Sequence, residues 1–178
     1  MKYPISVYLI AGNEEEYIER CLKSFAPIAK EMVVCISRGS ATPDKTEEIA
    51  SGLGAKIVHY QNKRTDWNHI DDFATARNTA LEACSSEWCL WVDADDVMAE
   101  DGAKVVEEAI DLAIQKDAHL VALKYWVENA GLAPLREEIS KKGTCVWKNR
   151  VHEMLVTKEP NKTIGLDKIF RIHKPHGY

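Results

Sequence analysis

No stretch of the 178 residues approaches the roughly 20 consecutive apolar residues that a membrane-spanning helix needs. The opening Met1-Lys2-Tyr3-Pro4 carries one charge ahead of a short apolar run, Ile5–Ile10, too short for the core of a secretory signal. These absences predict a cytoplasmic protein with at most peripheral membrane contact. A basic surplus is also missing, because 23 Lys and Arg oppose 28 Asp and Glu for a net charge of −5. That argues against a nucleic-acid partner, which a basic stripe would normally meet, while leaving room for a local basic pocket. The cysteines lack organisation. Cys21, Cys35, Cys84, Cys89 and Cys145 are odd in number and none form a CxxC pair, so buried free thiols are expected rather than a zinc site or a disulfide framework. There is no internal repeat and no low-complexity tract. The 46% hydrophobic and 29% charged content is that of an ordinary globular domain with a real core.

The first part of the chain alternates between two periodicities. Ile5–Ile10, Met32–Ile36, Lys56–Tyr60, Trp88–Val92 and His119–Val127 are short apolar runs that predict buried strands. Between them, Glu14–Phe25 places Tyr17, Ile18, Cys21, Leu22 and Phe25 on one helical face. Pro43 and Asp44 open a second helix, Phe73–Cys84 is a third and Asp101–Lys116 a fourth. This order implies a mostly parallel sheet with helices on both faces. After Val127 the pattern weakens. Residues 128–143 are charged and irregular, which predicts an exposed segment, and the tail from Lys162 ends without a helix or a cap. The expectation is an α/β core over 1–127 and an acceptor-side, irregular segment over 128–178, either cut short or dependent on a partner.

Asp93, Asp95 and Asp96 follow the fourth apolar run directly. In an open α/β sheet, ligands bind beyond the carboxyl ends of the strands. Asp93 and Asp95 are two apart and share a side on an extended backbone. Paired carboxylates favour a hard divalent cation, Mg2+ or Mn2+, whose remaining ligands are waters and substrate phosphates. An EF-hand is excluded by the missing glycine and terminal glutamate. The stretch also fits the first motif of haloacid-dehalogenase-like phosphatases, with Asp93 as nucleophile and Asp95 as acid/base. That family, however, needs a later acidic pair at a strand end, which is missing from the residues after Asp96.

Taken in order, "ISVYLIAGNEEEYIERCLKSF", the "SRGSATPDKT" loop with "GAK" behind it, "DWNHIDDFATARN", "WVDADD" and "RVHE" resemble glycosyltransferase family 2, with the GT-A fold. The resemblance covers nearly the whole chain. It implies metal-dependent transfer of a sugar from a UDP- or GDP-sugar to a glycan or other hydroxyl acceptor, with inversion. The leaving diphosphate develops negative charge that a cation would stabilise. Under the resemblance Asp93, Asp95 and His152 are the metal ligands, with His173 a further candidate. Ala11, Asn13, Glu14 and Glu15 lie along the base and ribose, and Ala94 sits beside the nucleotide. Asp72 and Arg77 line the nucleotide pocket, Arg77 toward the diphosphate, while Asn78 braces the loop. Glu153 is the first candidate for the general base and Asp96 the second. Trp147 is a stacking candidate for an acceptor sugar and otherwise a core residue.

One departure bears on the donor. Where the family reads D-x-G-S, this chain has Ser37-Arg38-Gly39-Ser40, so Arg38 brings positive charge to the base-binding loop and is a candidate for a phosphate contact. That loop motivates a rival reading, a GT-A-like module that binds without catalysing. A sugar-1-phosphate nucleotidyltransferase would need a glycine-rich loop after the first strand, and "AGNEEE" is not one. The sequence leaves an oligomer open.

Overall fold

The computed structural model describes residues 1–174 apart from Thr65 and Asn68, so the last four residues of the expected C-terminal segment lie outside the described residues. Strand β1 (Ile5–Ala11) is buried along its whole length. It pairs in parallel with β2 (Glu31–Arg38) and with β4 (Trp88–Trp91), and β2 pairs in parallel with β3 (Lys56–Gln61). The side chains of β1 alternate. Ile5, Val7, Leu9 and Ala11 enter one core, while Tyr8 and Ile10 enter the other. The first core is covered by α1 (Ile18–Phe25), α2 (Thr46–Gly52) and α4 (Gly102–Gln115). The second is covered by α3 (Phe73–Ala83) and by a hairpin of β8 (Cys145–Lys148) and β9 (Met154–Thr157). A sheet coated on both faces is the architecture the alternating pattern implied. All five cysteines are buried and free, and no helix among the described residues is long and apolar enough to cross a membrane.

Two helices start later than the sequence suggests, Glu14 for the first and Pro43-Asp44 for the second, for one local reason. The amide of Glu14 donates to Thr46 Oγ1 at 2.7 Å and that of Glu15 to Asp44 Oδ2 at 3.0 Å. These side chains hold the β1–α1 loop in a turn, and α1 begins only at Ile18. Asp44 Oδ1 accepts from the Thr46 amide at 2.8 Å, so Asp44 stands just ahead of α2 instead of within it.

The largest correction concerns the residues after Val127. The expected exposed segment contains β7 (Leu135–Lys141), which lies inside the sheet, antiparallel to both β4 and β6 (Leu120–Val127). The tail forms β10 (Thr163–His173), parallel to β6 and antiparallel to the short β5 (Asp96–Met98). The sheet therefore has eight strands in the order β3-β2-β1-β4-β7-β6-β10-β5. Both strands escaped the apolar pattern because charged residues occupy their buried positions. Glu138 of β7 and Arg171 of β10 are fully buried, and each serves as the other's partner.

Candidate active site

The acidic turn lies between the carboxyl end of β4 and β5. The Asp93 amide donates to Asp96 Oδ2 at 2.7 Å, and the Asp96 amide to the Asp93 carbonyl at 3.1 Å, which closes the turn on itself. Cys21 and Arg20 of α1 reach the carbonyls of Asp93 and Asp95, at 3.3 and 3.2 Å. Packing of α1 on the sheet thus fixes the turn from one side.

From the other side come Arg77 and Glu153. Arg77 sits in the second turn of α3, whose start is capped by Asp72: its side chain accepts from the Thr75 amide at 2.9 Å. Arg77 is buried, donates from Nη2 to Asp93 Oδ1 at 2.8 Å and from Nε to Glu153 Oε1 at 2.9 Å, and so ties the acidic turn to the β8–β9 turn. Asn78 braces the same hairpin, with bonds of 2.9 and 3.0 Å to the backbone of Trp147. Trp147 is itself a core residue, donating to Tyr8 Oη at 3.0 Å and lying edge-on to Trp91.

β10 delivers the remaining charges. Arg171 Nη1 donates to Asp96 and Nη2 to Glu138 Oε1 at 3.1 Å. His173 Nδ1 lies 2.9 Å from Asp96 Oδ1 and 3.3 Å from Asp95 Oδ1. Burial works to raise Asp93, yet Arg77 and Arg171 outweigh it and hold this carboxyl well below the usual range. Burial pushes Glu138 up to about 8 against the pull of Arg171, and hydrogen bonds to Asp95 and then Asp96 raise His173 to about 10. Arg77, Arg136, Arg171 and His173 face Asp93, Asp95, Asp96 and Glu153 across the site.

Two adjoining cavities open beside this cluster. The larger, about 620 Å3, is lined by Asn13, Ser37, Arg38, Asp44, Glu47 and Gln61 over an apolar wall of Ile36, Ile70 and Phe73. The smaller, about 210 Å3, is lined by Asp93, Ala94, Asp95 and His173. Gly12, Glu14, Ile70 and Phe73 line both, so the two form one groove. Arg38 pairs with Glu47 and lies 3.4 Å from His59. Gly39 backs the groove, and a Cβ there would come within 2.3 Å of the Trp67 carbonyl.

Of the residues singled out in the sequence, the structure brings Asp93, Ala94, Asp95, His173, Glu14, Asn13 and Arg38 onto the groove, whereas Asp72 and Arg77, expected to line the nucleotide pocket, are not among its lining residues. Asn13 is spent on the loop, donating to the Thr42 carbonyl at 2.8 Å. Glu15 accepts from the Lys45 amide at 3.1 Å, and Ala11 is buried at the end of β1. Asp96 is fully buried, with its oxygens taken by Arg171, His173 and the Asp93 amide. His152 is exposed at the β8–β9 turn, with φ of 55°. Among the described residues, the group of ligand atoms close enough to share an ion is Asp93, Asp96 and His173, within 4.8 Å of one another, without His152. Sequence reasoning missed Arg171, Glu138 and Arg136. Their only signal was a charge set among β-formers, as in "KIFRIH".

Comparison with known proteins agrees with this architecture. The chain is 26% identical over 172 residues to the lipopolysaccharide core biosynthesis glycosyltransferase LpsC of Rhizobium meliloti, covering 92% of this chain and 60% of LpsC. Among solved structures, S. aureus TarS 1-349 in complex with UDP-GlcNAc superposes with a TM-score of 0.67 at 19% identity, over 98% of this chain and 60% of that one. The M. tuberculosis glucosyl-3-phosphoglycerate synthase in complex with Mn2+, UDP and phosphoglyceric acid gives 0.54 at 21% identity, over 79% of this chain and 56% of that one. At these identities the structural likeness establishes the GT-A fold. The chain spans about 60% of the length of LpsC and of the TarS chain. The sequence profile of Glycosyl transferase family 2 matches residues 6–173, and the chain belongs to that family.

Proposed function

We propose that this chain transfers a sugar from a nucleoside-diphosphate donor to an acceptor hydroxyl, with inversion and with Mn2+ or Mg2+ bound. The observation that carries the proposal is the continuous groove: a large polar-and-apolar cavity of nucleoside size opens into a small one ringed by Asp93, Asp95 and His173. The family membership and the UDP-GlcNAc and Mn2+ bound to fold relatives point the same way.

The donor set fits a hard cation. Asp95 and His173 face the smaller cavity with their ligand atoms 3.3 Å apart, whereas Asp96 and Asp93 are engaged by Arg171 and Arg77. Asp95 would therefore hold the ion, with Asp93 at its edge, and His173 would join only on giving up the proton that its bonds to Asp95 and Asp96 retain. A bound divalent cation would neutralise the charge that develops on the leaving diphosphate. The wall of Ile36, Ile70 and Phe73 is suited to the base, and the Glu14 region spans the two cavities. Arg77 keeps Asp93 ionised and holds both Asp93 and Glu153 in place. Glu153 accepts the proton of the attacking hydroxyl as the hydroxyl oxygen bonds to the anomeric carbon and the carbon–diphosphate bond breaks on the opposite face.

A thermal-shift screen of nucleoside diphosphates, each with and without Mn2+, tests the donor side. Saturation at about 100 times Kd adds about 2.7 kcal/mol, so a cognate nucleotide gives a clear metal-dependent shift. Flat melting curves across UDP and GDP would remove the basis for the proposal.

A further inference from the structure

Three guanidiniums converge on the ring of Trp91: Arg77 at 4.5 Å, Arg136 at 4.5 Å and Arg171 at 4.7 Å. Two are committed to carboxylates, Arg77 to Asp93 and Glu153, Arg171 to Asp96 and Glu138. Arg136 differs from both. Its side chain is 32% exposed, and its nearest carboxylate oxygen, Glu153 Oε1, is 3.7 Å away and already bonded to Arg77. Among the described residues it makes no side-chain hydrogen bond. An arginine stacked on a buried indole is held in place while the edge of its fork stays free, which suits a planar or tetrahedral anion.

Its surroundings support a ligand role. The turn between β8 and β9 contains two non-glycine residues in the left-handed region, Asn149 at φ 69° and His152 at φ 55°. Such conformations persist only where neighbours impose them, and they gather at ligand sites. Here the Phe73 amide binds the Arg150 carbonyl at 3.0 Å and Arg150 Nη2 binds the Asp71 carbonyl at 3.1 Å. The turn also carries exposed Lys148 and Arg150, close in sequence to Glu153, on a chain of net charge −5. Neither Arg136 nor Glu153 lines the groove, but Arg77 joins Glu153 to Asp93, which lines its smaller cavity.

We infer that Arg136, stacked on Trp91 beside Glu153, is the acceptor's anion subsite, so that the acceptor is a hydroxyl compound bearing a phosphate or carboxylate. The anionic group docks on Arg136 and places the hydroxyl at Glu153. The inference rests on the proposed role of Glu153. A phosphate on Arg136 could also belong to the donor's diphosphate, and the test separates the two sources.

Calorimetry would titrate glycerol 3-phosphate, glucose 6-phosphate and glycerol into the protein, both free and saturated with a nucleoside diphosphate and Mg2+. Saturable binding is expected for a phosphate-bearing probe and none for glycerol. Arg136→Gln should weaken the phosphate probe at least tenfold, Arg136→Lys less, with nucleotide affinity changed less than twofold. Unchanged thermal melts would show that both variants fold. Parallel loss of nucleotide affinity would assign Arg136 to the diphosphate and overturn the inference. So would a phosphate probe that fails to bind the nucleotide-loaded protein or ignores Arg136. If no nucleotide binds but the Arg136-dependent phosphate site is present, the transferase proposal falls and the anion site stands.

Discussion

Replacing Arg171 with Met, a residue of comparable length without charge, probes what the hidden strand β10 contributes. Arg171 and Asp96 are both fully buried and bonded to each other, with burial raising the Asp96 carboxyl against the pull of Arg171. Removing one partner of such a pair leaves a buried charge uncompensated and costs about 3–5 kcal/mol. That is a large part of the ~5–15 kcal/mol by which a domain of this size is stable. With a urea slope of about 2 kcal/mol per M, the midpoint should fall by about 2 M. The loss should shrink at acid pH, where Asp96 can take a proton. Adding Asp96→Asn to Arg171→Met should recover part of it, since removing both charges avoids the orphan. Urea titrations followed by circular dichroism at pH 5 and pH 8 measure all of this. A loss below about 1 kcal/mol at pH 8, or no recovery in the double variant, would refute the reasoning.

Gly39→Ala should destabilise by about 1–3 kcal/mol and weaken nucleotide binding, because the new Cβ would meet the Trp67 carbonyl at 2.3 Å; a neutral melting temperature would argue otherwise. Asn78→Ala removes two hydrogen bonds to Trp147 and should cost about 1–3 kcal/mol, with amide exchange rising in residues 145–157 rather than in β1. His173 is raised to about 10 in the fold from an ordinary value of about 6.5. Its ion-pair contribution is thus fully present below about pH 6.5 and fades as pH rises through about 10. The stability gap between wild type and His173→Gln in the metal-free protein should therefore close between pH 7 and pH 10.5. A constant gap would contradict that assignment.

The half of the sheet around β1 was legible because its strands are unbroken apolar runs and its helices keep one apolar face. The acidic turn was legible because Asp93, Asp95 and Asp96 interrupt such a run. The other half was hidden because its strands bury charge. β7 carries Glu138 and β10 carries Arg171, tolerable inside because they bond to each other and Arg171 also bonds to Asp96. That complementarity joins positions 33 residues apart in sequence, so no local pattern reveals it. The same holds for His173. In sequence it is a further candidate ligand in a charged tail, with nothing to say which carboxylates it meets, and only the pairing of β10 with β5 sets it against Asp95 and Asp96. His152, beside Glu153 in an attractive motif, is instead turned out at an exposed positive-φ position.

The central claim is that Asp95 holds a cation at the mouth of a nucleotide groove. The most direct measurement is calorimetric titration of UDP and of GDP into wild type and Asp95→Asn, with and without Mn2+. The account predicts saturable binding of at least one nucleotide that tightens with Mn2+ in the wild type, and loss of that Mn2+ dependence in Asp95→Asn. Metal-dependent binding that survives the substitution unchanged, or no binding of either nucleotide to the wild type, would contradict it.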